Sequence, residues 1–240
     1  MKSVLIASQL LPEFDSPVSA GAIDLAMDSD TVLGVIGPDM SIKSAWIKCL
    51  TGIEASAQGE LMINEHDAIG MSRKDWQQLR TECVYMDDET ALVSVFNVQE
   101  NILLPASYHK LNTRQALLQK METLLQQLGF KHPRHLSELP AYVDDLEIVQ
   151  AIIARALLLQ PALVSIGNIF NLIGRHQASE LLAKTMAWSN TEKIATILGF
   201  HNNSLTLKYA TALLYVSDSQ SCYYKTREEY EKSRVKPALS

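Results

Sequence analysis

Apolar residues fall along this chain in short runs whose period changes several times. Residues 3–9, the trio Ile23, Leu25 and Met27, and residues 59–64 alternate with polar or small positions, as half-buried strands do. Leu11 to Ala20 carries Pro12 and Pro17 and reads as loop, and Asp28-Ser29-Asp30 as a turn. Val32 to Ile36 is continuously apolar, the pattern of a strand buried on both faces. Cys83 to Met86, Ala162 to Ile166, Ile194 to Phe200 and Thr211 to Ser217 read as further strands. A helical period appears between Lys43 and Thr51, where Trp46, Ile47 and Leu50 share a face and Gly52 ends the run. Ser72 to Arg80 is a short helix burying Trp76 and Leu79.

From Asn97 to Leu139 almost everything reads helical. Asn112 is the expected N-cap of a helix whose apolar face is Leu117, Leu118, Met121, Leu124, Leu125 and Leu128, closed by Gly129. Asp144 or Asp145 caps a strong helix through Val149, Ile153, Ala156 and Leu157, ending before Pro161. Ala178 to Trp188 is a helix, and Thr226 to Ser233 a short charged one. Strands alternating with helices at this spacing imply an α/β fold with a parallel sheet. Residues 1–91 and 150–240 are taken as the core, and 92–149 as an inserted helical subdomain.

Composition narrows the picture. A chain of 240 residues buries one large core, or a core plus a small subdomain. A net charge of −6 and the lack of any Lys/Arg block exclude nucleic acid as the expected partner. Cys49, Cys83 and Cys222 are far apart and odd in number, which points to free thiols in a reducing compartment. Only a four-residue apolar run, Val4 to Ala7, follows Met1-Lys2, so no signal peptide is expected. The longest apolar stretch, Leu146 to Ile166, is broken by Glu147, Gln150, Arg155 and Gln160 and is no membrane span. His132 and His135 invite a metal reading, but no third ligand is evident, so a surface loop and no metal are expected.

The stretch carrying the most chemistry is Gly37-Pro38-Asp39-Met40-Ser41-Ile42-Lys43-Ser44, between a strand and a helix. A phosphate-binding loop, G-x-x-x-x-G-K-[ST], is met at Gly37, Lys43 and Ser44 and broken at Ile42. Such loops wrap phosphate with backbone N–H groups and need glycine for curvature and close approach.

Four framework runs accompany it in order: Leu33 to Pro38, Lys48 to Gly52, Val98 to Ile102, and Ala154 to Leu157 before Pro161. With them the chain resembles the nucleotide-binding subunit of an ABC transporter. The resemblance implies a P-loop NTPase (RecA-like) core with a mainly parallel sheet, an antiparallel β subdomain and an inserted helical subdomain. It assigns Gly37 and Lys43 to phosphates, Ser44 to magnesium and Phe14 to stacking on adenine. It also shows departures. Met40 and Ile42 stand where the family has glycines. Gly167 and Asn168 stand where it has a magnesium-anchoring Asp and a water-polarising Glu. Asp88 falls at the position of a magnesium-contacting Gln. Val143-Asp144-Asp145-Leu146-Glu147 replaces the Leu-Ser-Gly-Gly-Gln signature. His201 holds the place of the switch histidine.

These departures make Lys43 the expected partner of Asp87 or Asp88 rather than of phosphate. Asp144 and Asp145 are expected to cap their own helix and repel anions. The chain is therefore read as a degenerate ABC ATP-binding subunit without hydrolytic activity, a structural or regulatory partner of a membrane permease. It is expected to be cytoplasmic, peripheral on the inner face of the membrane, and a homodimer or a heterodimer with another ABC-type subunit. No cofactor is required in this reading, and any ATP and magnesium binding is residual. The alternatives are an active transport ATPase and a sensor that binds ATP without cleaving it. The permease is expected to dock on Leu92, Val93, Val95 and Phe96.

Overall fold

The computed structural model describes residues 3–14, 18–87 and 90–233. In chain order, β1 (Ser3–Pro12) and β2 (Ile23–Asp28) precede β3 (Val32–Ile36) and α1 (Met40–Leu50), then β4 (Ser56–Ile63), β5 (His66–Asp67), α2 (Arg73–Glu82) and β6 (Cys83–Met86). Next come α3 (Val98–Tyr108), α4 (Arg114–Leu128) and α5 (Asp145–Leu158). The chain closes with β7 (Leu163–Ile166), α6 (Arg175–Glu192), β8 (Ala195–Leu198), α7 (Asn203–Tyr209), β9 (Ala212–Val216), β10 (Ser221–Tyr224) and α8 (Arg227–Lys232).

Contacts divide these into two units. The first takes the described residues of Met1–Tyr85, Ala162–Gly167 and Glu192–Ser240. Its larger sheet has the order β10-β9-β3-β8-β7-β6, with β3 parallel to β8 and β9, and β7 parallel to β8. The continuously apolar β3 lies fully buried inside it, and β10 adds an antiparallel edge. The alternating strands form the second sheet, β2-β1-β4-β5, antiparallel throughout. Trp46, Ile47 and Leu50 of α1 pack in one core with residues of both sheets. In that core, burial pushes the thiols of Cys49 and Cys83 up to about 12, so both are inert at neutral pH.

The second unit spans Met86–Pro161 and Asn168–Thr191. Its α3, α4 and α5 pack on one another. Asn97 and Glu100 close a capping box at the start of α3, and Gly129, at φ 86°, ends α4 in the left-handed conformation.

Several expectations need correction. The helical unit is wider than residues 92–149, because α5 is one continuous helix packed along α3 and α4 and does not divide at 149. Residues 97–139 are less helical than expected: after α4 they hold only the 3-10 turn Pro133–Ser137, which starts at a proline, and a second such turn, Pro140–Tyr142, follows; proline fits a first helical turn but cannot extend one backwards. Thr113, not Asn112, caps α4, its Oγ1 accepting from Ala116 N–H at 3.3 Å. The first strand runs on to Pro12 through an irregular register near Gln9. Both α7 and β10 were unforeseen, being short and weakly periodic.

Candidate functional site

The phosphate-loop candidate is folded into helix. Instead of starting at Lys43, α1 starts at Met40. The Asp39 carboxylate accepts from Ser41 N–H at 2.7 Å and from the Ser41 hydroxyl at 2.8 Å. Those bonds hold its pKa below the usual carboxylate range. The Lys43 N–H donates to the Asp39 carbonyl at 3.2 Å and closes the first turn. Met40 and Ile42, standing where the family has glycines, carry no backbone strain, since neither has a positive φ. Non-glycine residues here take helical backbone, the cheapest alternative to a glycine-dependent curve. The positive end of the helix thus faces a carboxylate of its own chain.

Lys43 is 1% exposed. Its Nζ donates to the Phe200 carbonyl at 2.8 Å and to Asn203 Oδ1 at 3.1 Å, so neutral oxygens take the place expected for a carboxylate. Burial lowers its pKa against the opposing pull of Asp39. Asn203 ties the arrangement together. Its Oδ1 also accepts from Gly37 N–H at 3.3 Å, and its Nδ2 donates to the Gly37 carbonyl at 3.0 Å. A Cβ on Gly37 would overlap the Val216 carbonyl, so only glycine fits there. Asn203 is not marked in the sequence because it lies 166 residues from Gly37, at the start of the short α7. An Asn-Asn pair opening a short helix is the only local signal.

Beside this helix start is a cavity of about 610 Å³ lined by Phe14, Asp39, Ile42 and Ser44. The structure therefore brings Phe14 and Ser44 together and leaves Lys43 out. Four carboxylates, of Glu13, Asp39, Glu54 and Asp218, line the cavity against one lysine, Lys48. That lysine is itself paired with Glu54 at 2.9 Å.

Gly167 follows β7 without a side chain, and Asn168 is buried at the start of a 3-10 turn. Asn168 N–H donates to the buried Asp87 carboxylate at 2.8 Å. Asp88 lies outside the described residues. His201 is exposed in the loop after β8.

At the signature-equivalent segment, Asp144 occupies the N-cap of α5, but its side chain makes no cap bond. This corrects the expected self-capping. Asp145 is exposed and Leu146 half-buried. The histidines, expected to have no third candidate ligand, have one in Glu147. Glu147, 4% exposed, accepts from His132 N–H at 3.1 Å and lies 2.9 Å from His132 Nδ1 and 2.5 Å from His135 Nδ1. Asp144 joins them, all four donor atoms lying within 4.8 Å of one another. Burial raises the Glu147 pKa, but the bonds from His135 and His132 outweigh it and hold the group below its usual value.

The segment expected to dock a partner is exposed at Val93, Val95 (75%) and Phe96, with Leu92 half-buried. It is pinned from beneath by Asn101, 0% exposed. Asn101 Oδ1 accepts from Val93 N–H at 2.6 Å, and its Nδ2 lies 3.0 Å from each of the carbonyls of Val93, Phe96 and Asn97. The loop thus presents apolar side chains on a fixed backbone.

Comparisons with known proteins agree with the fold. A family model described as ABC transporter matches residues 21–166. The ABC transporter ATP-binding protein YvcR of Bacillus subtilis, itself uncharacterized, is 26% identical over 200 residues, covering 83% of this chain and 76% of that one. The methionine import ATP-binding protein MetN of Rhizobium johnstonii is 30% identical over 151 residues, 63% of this chain and 41% of that protein's length. The dimeric structure of MJ0796, a bacterial ABC transporter cassette, superposes with a TM-score of 0.78 at 12% identity, covering 90% of this chain and 96% of that one. The cbiO1 structure from Clostridium perfringens, part of the cbiONQ ABC transporter complex, gives 0.78 at 15% identity, covering 97% and 92%. At such identities the structures speak for the fold alone. No helix among the described residues is long and apolar enough to cross a membrane. With a family match spanning more than half its length, from β2 to the end of β7, this chain belongs to the ABC transporter ATP-binding family.

Proposed function

We propose that this cassette does not hydrolyse ATP and serves as a structural or regulatory subunit of a membrane permease complex, on the inner face of the membrane. The observation that carries the reading is the self-occupied phosphate loop. Lys43 is spent on Phe200 and Asn203, and Asp39 fills the anion position at the start of α1. Phosphoryl transfer rests on positioning and charge neutralisation. Gly167 offers no ligand, and Asn168 cannot accept a proton at neutral pH. The surfaces are kept where the chemistry is eroded: Asn101 braces an apolar loop suited to a docked helix. A second cassette, identical or related, is the proposed dimer partner, as in the dimeric MJ0796 structure. The cavity beside Phe14 and Ser44 favours residual nucleotide binding as the second reading, but its carboxylates oppose a polyphosphate.

The test is magnesium-dependent ATP turnover by the purified protein, with Lys43→Met as control. No difference between the two is expected. The double change Met40→Gly with Ile42→Gly gains no turnover either, and loses about 2 kcal/mol of stability or more, mainly from the buried Ile42 side chain with a smaller part from two glycines in the first turn of α1. Turnover that Lys43→Met abolishes would overturn the proposal.

A further inference from the structure

Two matching spacings meet at the start of α5. His132 and His135 are three apart around the turn Pro133–Ser137, where a three-residue repeat stacks side chains, and their rings lie 5.0 Å apart. Asp144 and Glu147 are three apart across the N-cap and first turn of α5. That second pair has the spacing of a capping box and forgoes it. Asp144 makes no cap bond, and Glu147 turns to the two imidazoles. Neither 3-10 turn between Pro133 and Tyr142 fully buries a residue, so apolar packing holds this segment only in part.

We propose that His132, His135, Asp144 and Glu147 bind one zinc ion, which staples the segment between α4 and α5 to the start of α5. Two imidazole nitrogens with two carboxylates form a zinc donor set; magnesium and calcium take all-oxygen shells. Zinc holds such ligands at about 2.0–2.2 Å, so their donor atoms lie about 3.3 Å apart. The four donor atoms here already lie within 4.8 Å of one another, and the two His–Glu147 pairs, at 2.9 and 2.5 Å, would open as the ion enters. A second observation points the same way. Gln150, one turn further along α5, lines with His132, Asp144 and Glu147 a cavity of about 410 Å³. It is 2% exposed; its Nε2 donates to the Leu128 carbonyl at 3.0 Å, while its Oε1 has no partner among the described residues. This leaves an unpartnered buried polar atom on a residue that lines the same cavity as His132, Asp144 and Glu147. This inference is independent of whether the cassette binds nucleotide.

The experiment uses tag-free, metal-stripped full-length protein, titrated with zinc chloride against a chromophoric chelator, with melting followed in parallel. One zinc per chain and a higher melting temperature are expected. His132→Ala and Asp144→Asn change exposed positions, and Glu147→Gln keeps the shape of the buried one, so all three variants fold. Each should bind zinc more weakly, on the order of 100-fold for His132→Ala, and lose the thermal shift. Failure of the wild-type protein to compete with the chelator would overturn the proposal, leaving a histidine–glutamate hydrogen-bond cluster. Unchanged binding in all three variants would overturn it as well, by placing the ion elsewhere.

Discussion

Asn203→Ala lowers the stability of the protein by about 3 kcal/mol. One side chain serves the Gly37 N–H, the Gly37 carbonyl and the Lys43 ammonium. Its loss strands two groups of a backbone that packs too closely against Val216 to admit even a Cβ. It also leaves a lysine that is 1% exposed with one carbonyl as partner among the described residues. A net hydrogen bond contributes about 1 kcal/mol, and bonds to a buried charge about twice that. Lys43→Met costs less, about 1–2 kcal/mol, because it removes the buried charge along with its bonds and keeps most of the volume. In a double-mutant cycle the two changes are coupled by about 1 kcal/mol or more, since they share one bond. Chemical denaturation of the four proteins measures this directly. If Asn203→Ala lies within about 0.5 kcal/mol of the wild type, Lys43 is not a structural lysine.

If the loop docks the proposed permease, Val93→Asp or Phe96→Ala is expected to detach the protein from that complex while leaving its fold intact. Val93, Val95 and Phe96 are exposed, so their substitution removes little from the core. A charge at Val93 desolvates badly against an apolar helix, and Phe96 is the one aromatic anchor of the loop. Losses of about 2 kcal/mol or more, a roughly 30-fold drop in affinity or greater, are expected for each. Asn101→Ala acts differently. It leaves every exposed side chain in place but removes the bonds that fix the loop, so it lowers stability and association together. Lys43→Met leaves association unchanged. Copurification from native membranes with each variant separates these outcomes. Release by Lys43→Met with retention of Val93→Asp would favour the nucleotide-sensor reading.

What the sequence disclosed was mostly what short-range pattern encodes. The apolar run Val32 to Ile36, the alternation at Ile23, Leu25 and Met27, and the glycine closing α4 each turned up as expected. Gly37, Lys43 and Ser44 were found because loop, strand and helix are contiguous there. The contacts that give those residues their roles were not legible. Asn203 reaches Gly37 and Lys43 across 160 residues or more, and no periodicity marks such a bond. The start of α1 was misplaced because a phosphate loop was assumed, although Met40, Ser41 and Ile42 carry no glycine to resist helix. The cluster around Glu147 was missed for a related reason. Its histidines are 12 and 15 residues away, and the turns between are set by two prolines rather than by an apolar face. The paired three-residue spacings, His132 with His135 and Asp144 with Glu147, were the signal available.

The most direct test of a self-occupied phosphate loop is calorimetric titration of the protein with magnesium–ATP. No saturable binding is predicted up to about 1 mM nucleotide, either for the wild type or for Lys43→Met. Saturable binding that Lys43→Met and Phe14→Ala both weaken would contradict the account, because it would put the Lys43 ammonium on a phosphate instead of on Phe200 and Asn203.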